Sequence, residues 1–84
     1  MTREITITNA LGMNASNSPL LVQKANTYKS SIWIQKDDRR ISAKSLLGVL
    51  SMGITSGMTI TIIADGPDEV TAINELEKLV ESWV

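Results

Sequence analysis

Histidine and cysteine are absent from this chain, so it has no imidazole base, no thiol nucleophile and no ordinary zinc ligand set. The polar side chains whose spacing could still carry chemistry are few. Asn14-Ala15-Ser16-Asn17-Ser18 is a short polar run rich in residues that cap helices. Ser45 stands near the head of Lys44-Ser45-Leu46-Leu47-Gly48-Val49-Leu50-Ser51-Met52, a stretch that suits two helical turns with the serine as N-cap. Asp37-Asp38 is an adjacent acid pair with no further oxygen ligands beside it, which predicts a turn and not a metal site. No metal and no cofactor are expected.

Short elements must position these groups. Residues 2–8 alternate polar and β-branched apolar side chains, the pattern of a half-buried strand, and Leu11-Gly12 ends it. Leu20, Leu21, Val22, Ala25 and Tyr28 form a helical stripe that closes near Lys29-Ser30. Ile32-Trp33-Ile34 begins a second strand, and Asp37-Asp38 turns the chain into a third, from Arg39 to Ala43. Thr59 to Ala64 reads as a fourth strand. Gly66-Pro67-Asp68-Glu69 predicts a helix start with proline in the first turn and acids at the positive end of the dipole. Ile73, Leu76, Leu79, Val80 and Trp83 then mark one buried face. The order β-α-β-β-α-β-α predicts an α+β fold, a two-layer sandwich with helices on one face of a mainly antiparallel sheet. Residues 1–84 are expected to form one domain.

The net charge of −1 gives no overall field toward nucleic acid or anionic membrane. Basic residues from Arg3 to Lys44 occupy the first half, and acids from Asp65 to Glu81 crowd the last quarter. Neither a secretory leader nor a membrane span is expected. The acid-rich last helix reads as a solvated face. Leu46, Leu47 and Leu50 cannot all point one way at helical spacing, so at least one is expected on the surface.

Gly12-Met13-x-Ala15 before the first helix and Lys44 to Ile54 before the fourth strand resemble the HPr family, the small phosphocarriers of the bacterial sugar phosphotransferase system. Val22-Gln23-x-Ala25, Gly57-x-Thr59-Ile60-Thr61-Ile62 and Gly66-x-Asp68-Glu69 extend the resemblance over essentially the whole chain. It implies an open-faced sandwich of four antiparallel strands backed by three helices, and a cytoplasmic protein that is not an enzyme. It also implies two phosphorylation sites. At the first, the family carries a histidine, an arginine and a proline where this chain has Asn14, Ser16 and Asn17. An amide nitrogen is no nucleophile and Ser16 brings no cation, so histidine phosphocarrier activity is expected to be lost. Ser16 or Ser18 as a substitute acceptor lacks a neighbouring base. Pro19, one turn inside the family's helix, predicts a start at Ser18 as N-cap with Asn14–Asn17 as a loop.

The second implied site is Ser45, the residue matching the serine phosphorylated by HPr kinase/phosphorylase in Gram-positive relatives. There the phosphoprotein binds a LacI-type catabolite control regulator. A phosphate on Ser45 would meet free amides at a helix start, with Lys44 close by and Leu46, Leu47 and Leu50 as flanking partner contacts. The resemblance is nearest in kind to catabolite-repression HPr-like proteins that lack the histidine, some of which exchange their first strand, so monomer and strand-exchanged dimer both stand. Two alternatives remain open: Ser45 as a plain helix cap, and a binding module that works without phosphorylation.

Overall fold

The structure, a computed structural model, describes residues 1–83. Its elements follow in the order β1 (Thr2–Thr6), α1 (Ser18–Ala25), β2 (Ser31–Lys36), β3 (Arg39–Ser42), α2 (Leu46–Ser51), β4 (Thr59–Asp65) and α3 (Glu69–Glu81). The sheet runs β1-β4-β2-β3 and every neighbouring pair is antiparallel. Because side chains alternate along a strand, register decides which residues share a face. Ile5 lies opposite Ile60, Ile34 opposite Ile62 and Ile32 opposite Ala64, and all six are buried. The intervening positions, including the Thr6–Thr59 and Trp33–Ile63 pairs, form the open face.

The helices close the buried face. Leu21 and Ala25 of α1, Val49 of α2, and Ala72, Ile73, Leu76 and Val80 of α3 join the strand isoleucines in one core cluster. Each buried aliphatic side chain is worth roughly 1.5–3 kcal/mol of transfer free energy, which in a domain this small rivals a large part of the net stability. Two polar ties fix the layers in place. Arg3 of β1 reaches α3, with Nη1 2.6 Å from Glu77 Oε1 and Nη2 3.2 Å from Asn74 Oδ1. Asp68, just before α3, accepts from the amides of Lys29 and Ser30 at 2.9 Å each, and from the Ser30 hydroxyl. These bonds, the Ser30 hydroxyl foremost, hold the Asp68 carboxyl at about 2, below the ordinary carboxylate value.

Several boundaries differ from the sequence expectation. The first strand stops at Thr6 because Ile7 exchanges hydrogen bonds with the loop before β4 and not with β4 itself, through Met58 O and Gly57 N. Helix α1 ends at Ala25, four residues early, and Tyr28 reaches the core from a turn. Leu20, counted in the buried stripe, is half exposed. Pro67 lies outside α3, before the flanking residue Asp68, and not in its first turn. The acids of α3 are not simply solvated either. Glu77 holds Arg3, while Glu75 accepts from the Tyr28 hydroxyl and sits 3.6 Å from Lys24 Nζ. Burial, and then the bond to Glu75, raises the Tyr28 phenol; the same bond lowers Glu75.

Candidate functional site

The chain between β1 and α1 is tightly folded. Gly12 adopts φ +63°, and a Cβ there would lie 2.6 Å from Ile54 O, so only glycine lets this loop pack against the segment after α2. The amide of Met13 then donates to Ile54 O at 3.0 Å, and Met13 itself is buried. Two side chains converge on the Gly12 carbonyl: Asn9 Nδ2 at 2.8 Å and Asn17 Nδ2 at 2.7 Å.

Asn14, Ser16 and Asn17 lie in the loop expected before α1, which is closed into a hydrogen-bonded turn. Asn14 Oδ1 accepts from the amides of Ser16 (2.8 Å) and Asn17 (3.0 Å), while Asn17 Oδ1 accepts from the amide of Asn14 (2.9 Å). This is the reciprocal pattern of a capping box. Ser18 N closes the turn on Asn14 O at 2.9 Å. Regular helix nevertheless begins only at Ser18, because Pro19 has no amide to continue the ladder. Ser18 is therefore the first helical residue and not the N-cap; Asn17 flanks it without a side-chain cap bond. The chemical consequence concerns the amides. Those of Ser16 and Asn17, which would otherwise face an incoming anion, are already satisfied by the Asn14 side chain. Ser16 is exposed and places no cation here.

Ser45 takes the N-cap position expected of it. Ser45 has extended backbone (φ −109°, ψ 113°) and its Oγ accepts from Gly48 N at 3.1 Å, as an N-cap should. The residue is exposed. Gly48 keeps this bond short of crowding, since a Cβ there would stand 3.2 Å from Ser45 Oγ. The amides of Leu46 and Leu47 have no intrahelical acceptor in a first turn. Leu46, Leu47 and Leu50 are all exposed, at 39%, 81% and 41%, and Val49 alone anchors the helix in the core. Leu20 of α1, the helix packed against α2, is 50% exposed. The Lys44 ammonium donates to Tyr28 O at 2.9 Å.

Sequence reasoning missed Asn9, Asn26, Lys36 and Arg39. Asn26 Nδ2 donates to Val22 O at 2.8 Å and to Lys44 O at 3.2 Å, linking α1 to the residue before Ser45. Lys36 Nζ donates to Met52 O at 3.0 Å, and Arg39 Nη1 to Ser51 O at 3.1 Å, both at the carboxyl end of α2. The bonds from Asn26 to Lys44 O, Lys36 to Met52 O and Arg39 to Ser51 O join segments 12 or more residues apart, and no local pattern marks them. Among the described residues there is no cluster of acids that could hold a metal ion, and no helix is long and apolar enough to cross a membrane.

Comparison with known proteins agrees with this geometry. The family described as PTS HPr component phosphorylation site matches residues 1–82. The HPr-like protein Crh of Halalkalibacterium halodurans is 38% identical over 79 residues, 94% of this chain and 94% of that protein. The crystal structure of HPr from Thermoanaerobacter tengcongensis superposes with a TM-score of 0.94 at 38% identity, covering 98% of this chain and 92% of the other. That of Crh, the Bacillus subtilis catabolite repression protein described as a swapped dimer, gives 0.80 at 32% identity over 98% and 94% of the two chains. With the four-stranded antiparallel sheet and three helices in place and the family matched over residues 1–82, the chain belongs to the HPr family of the phosphotransferase system.

Proposed function

We propose that this protein is a regulatory member of the HPr family that does not carry phosphate on a histidine and acts by binding a partner protein, in the cytoplasm, after phosphorylation of Ser45. The observation that carries the reading is the exposed Ser45 hydroxyl at the amino end of α2, surrounded by outward-facing Leu46, Leu47 and Leu50. HPr kinase/phosphorylase is the proposed modifying enzyme. It would transfer the terminal phosphoryl group of ATP to Ser45 Oγ, with loss of the hydroxyl proton and release of ADP. The phosphate would then accept from the free amides at the start of α2 and present a dianion beside an apolar patch. A LacI-type catabolite control regulator is the proposed reader. Ser16 contributes no charge to that surface, so such a regulator would have to read the phosphate and the leucines.

The Asn14 turn supports the negative half of the reading. Its side-chain carbonyl occupies two amides that would stabilise a transferred phosphoryl group, and no imidazole is present to accept one. Neither a catalytic role nor a cofactor belongs to this proposal. The swapped Crh dimer makes a second copy of the chain a further partner to consider, but the double clamp on Gly12 O favours a monomer with β1 in its own sheet.

Intact mass after incubation with ATP and HPr kinase/phosphorylase, on wild type and Ser45→Ala, is the test. One added phosphate in the wild type and none in the variant is the expected result; no added mass in either overturns it. The 81% exposure of Leu47 favours a second reading, a binding module indifferent to phosphorylation. Under that reading Ser45→Ala leaves partner binding intact while Leu47→Asp abolishes it.

A further inference from the structure

Helix α2 is six residues long, too short to persist without tertiary support. Its own sequence offers neither an acid in the first turn nor a base in the last, and only Val49 is buried. The support at its carboxyl end comes from the β2–β3 hairpin at the edge of the sheet. Asp37-Asp38 is a two-residue turn between β2 and β3, with Asp37 at φ +53°. That turn sets Lys36 directly opposite Arg39. Cross-strand partners project from the same face. Both cations therefore reach the same place: Lys36 Nζ donates to Met52 O, and Arg39 donates to Ser51 O at 3.1 Å and to Ser51 Oγ at 3.3 Å. The Ser51 hydroxyl in turn donates to Gly48 O at 2.7 Å, and Gly48 N donates to Ser45 Oγ. Through the backbone of Gly48, these bonds link Arg39 to the proposed phosphoacceptor, while Lys36 holds the carbonyl of Met52 at the end of the same helix. Cations at a helix carboxyl end also oppose the negative pole of its dipole.

We propose that Lys36 and Arg39 are positioning residues for recognition of Ser45: they hold α2 in the orientation in which Ser45, Leu46, Leu47 and Leu50 meet a protein partner together. The proposal rests on Ser45 being the phosphoacceptor, and it gives the Asp37-Asp38 turn a purpose, the pairing of two cations. Lys36 and Arg39 act through α2 and do not touch the reacting hydroxyl. Their removal should therefore weaken capture of this protein by the kinase and leave the chemical step alone.

The test uses Lys36→Met, Arg39→Met and Arg39→Lys in the full chain, which keep the apolar stem of each side chain. Amide hydrogen exchange of Val49 and Met52 should accelerate tenfold or more in the two methionine variants, with Ile34 and Ile62 amides unchanged. With HPr kinase/phosphorylase and ATP, KM for the protein substrate should rise five- to tenfold while kcat stays within twofold, and Arg39→Lys should recover most of the KM. Unchanged exchange in α2 overturns the proposal. So does faster exchange spread evenly over α2 and the sheet, because the cations would then serve the fold as a whole. A fall in kcat at constant KM overturns positioning as their role. A wild type that takes no phosphate, with α2 exchange altered as expected, refutes Ser45 as phosphoacceptor but not the anchoring of α2.

Discussion

Asn14 and Asn17 cap each other: Asn14 Oδ1 accepts from Asn17 N at 3.0 Å, and Asn17 Oδ1 accepts from Asn14 N at 2.9 Å. At the place where its family binds a phosphoryl group, this chain binds its own side chain. The amides of Ser16 and Asn17 are thereby satisfied within the chain. Asn14→Ala should cost about 1 kcal/mol of stability, the usual worth of a lost cap, read by urea unfolding. Asn14→His with Ser16→Arg restores an imidazole beside a cation and frees the two amides. That double variant should take an acid-labile phosphoryl group from the phosphotransferase-system enzyme that phosphorylates HPr proteins on histidine, whereas wild type takes none; labelled phosphate on the wild-type chain would contradict this account.

Asp68 is the second measurable point. Its carboxyl is lowered to about 2 from an ordinary value of 3.8, first by the Ser30 hydroxyl and then by the Lys29 amide. A depressed folded value means that the ionised form is the one the fold favours. Its stabilising contribution is full above about pH 4 and is lost as pH falls through about 2. The stability difference between wild type and Asp68→Asn should therefore shrink between pH 5 and pH 2 in denaturant titrations. A difference that stays constant over that range would show that the latch does not depend on the charge.

Gly12 and Gly53 have nearly the same left-handed backbone, φ +63° and +61°, in different surroundings. Gly53 has open space around its missing Cβ, so Gly53→Ala should cost only backbone strain, about 1–2 kcal/mol. Gly12→Ala adds contact with the backbone of Ile54 and Thr55 at 2.6 and 2.7 Å, and rigid backbone does not yield cheaply. Its loss of thermal stability should clearly exceed that of Gly53→Ala, in parallel melts.

Val49 and Leu47 separate packing from recognition on a single helix. Val49 is 1% exposed and Leu47 81%. Val49→Ala should lower stability by roughly 1–3 kcal/mol through lost burial and the cavity left behind. Leu47→Ala should change it by less than about 0.5 kcal/mol. If the leucine surface is a docking site, Leu47→Asp will raise KM for HPr kinase/phosphorylase while the melting temperature holds. Equal stability losses at the two positions would show that Leu47 packs in solution.

The sequence by itself determined the element order and the chemistry that is missing. Alternation in Thr2–Thr6 and Thr59–Asp65, the spacing of Ile73, Leu76 and Val80, and the serine before α2 are local signals, because strand period, helix period and capping act within a few residues. The absence of histidine and cysteine needed no structure at all. Tertiary structure decided where the side chains of known type point. Lys44 stands next to Ser45 in the chain, yet its ammonium is spent on Tyr28 O. Lys36 and Arg39 lie six or more positions upstream of Ser45, yet they close the far end of its helix. Asp68 reads as a helix-start acid, yet it holds Lys29 and Ser30 across a gap of nearly forty residues. A flexible cation or carboxylate takes whichever unsatisfied backbone group the packed core brings within reach. Only folding decides which groups those are.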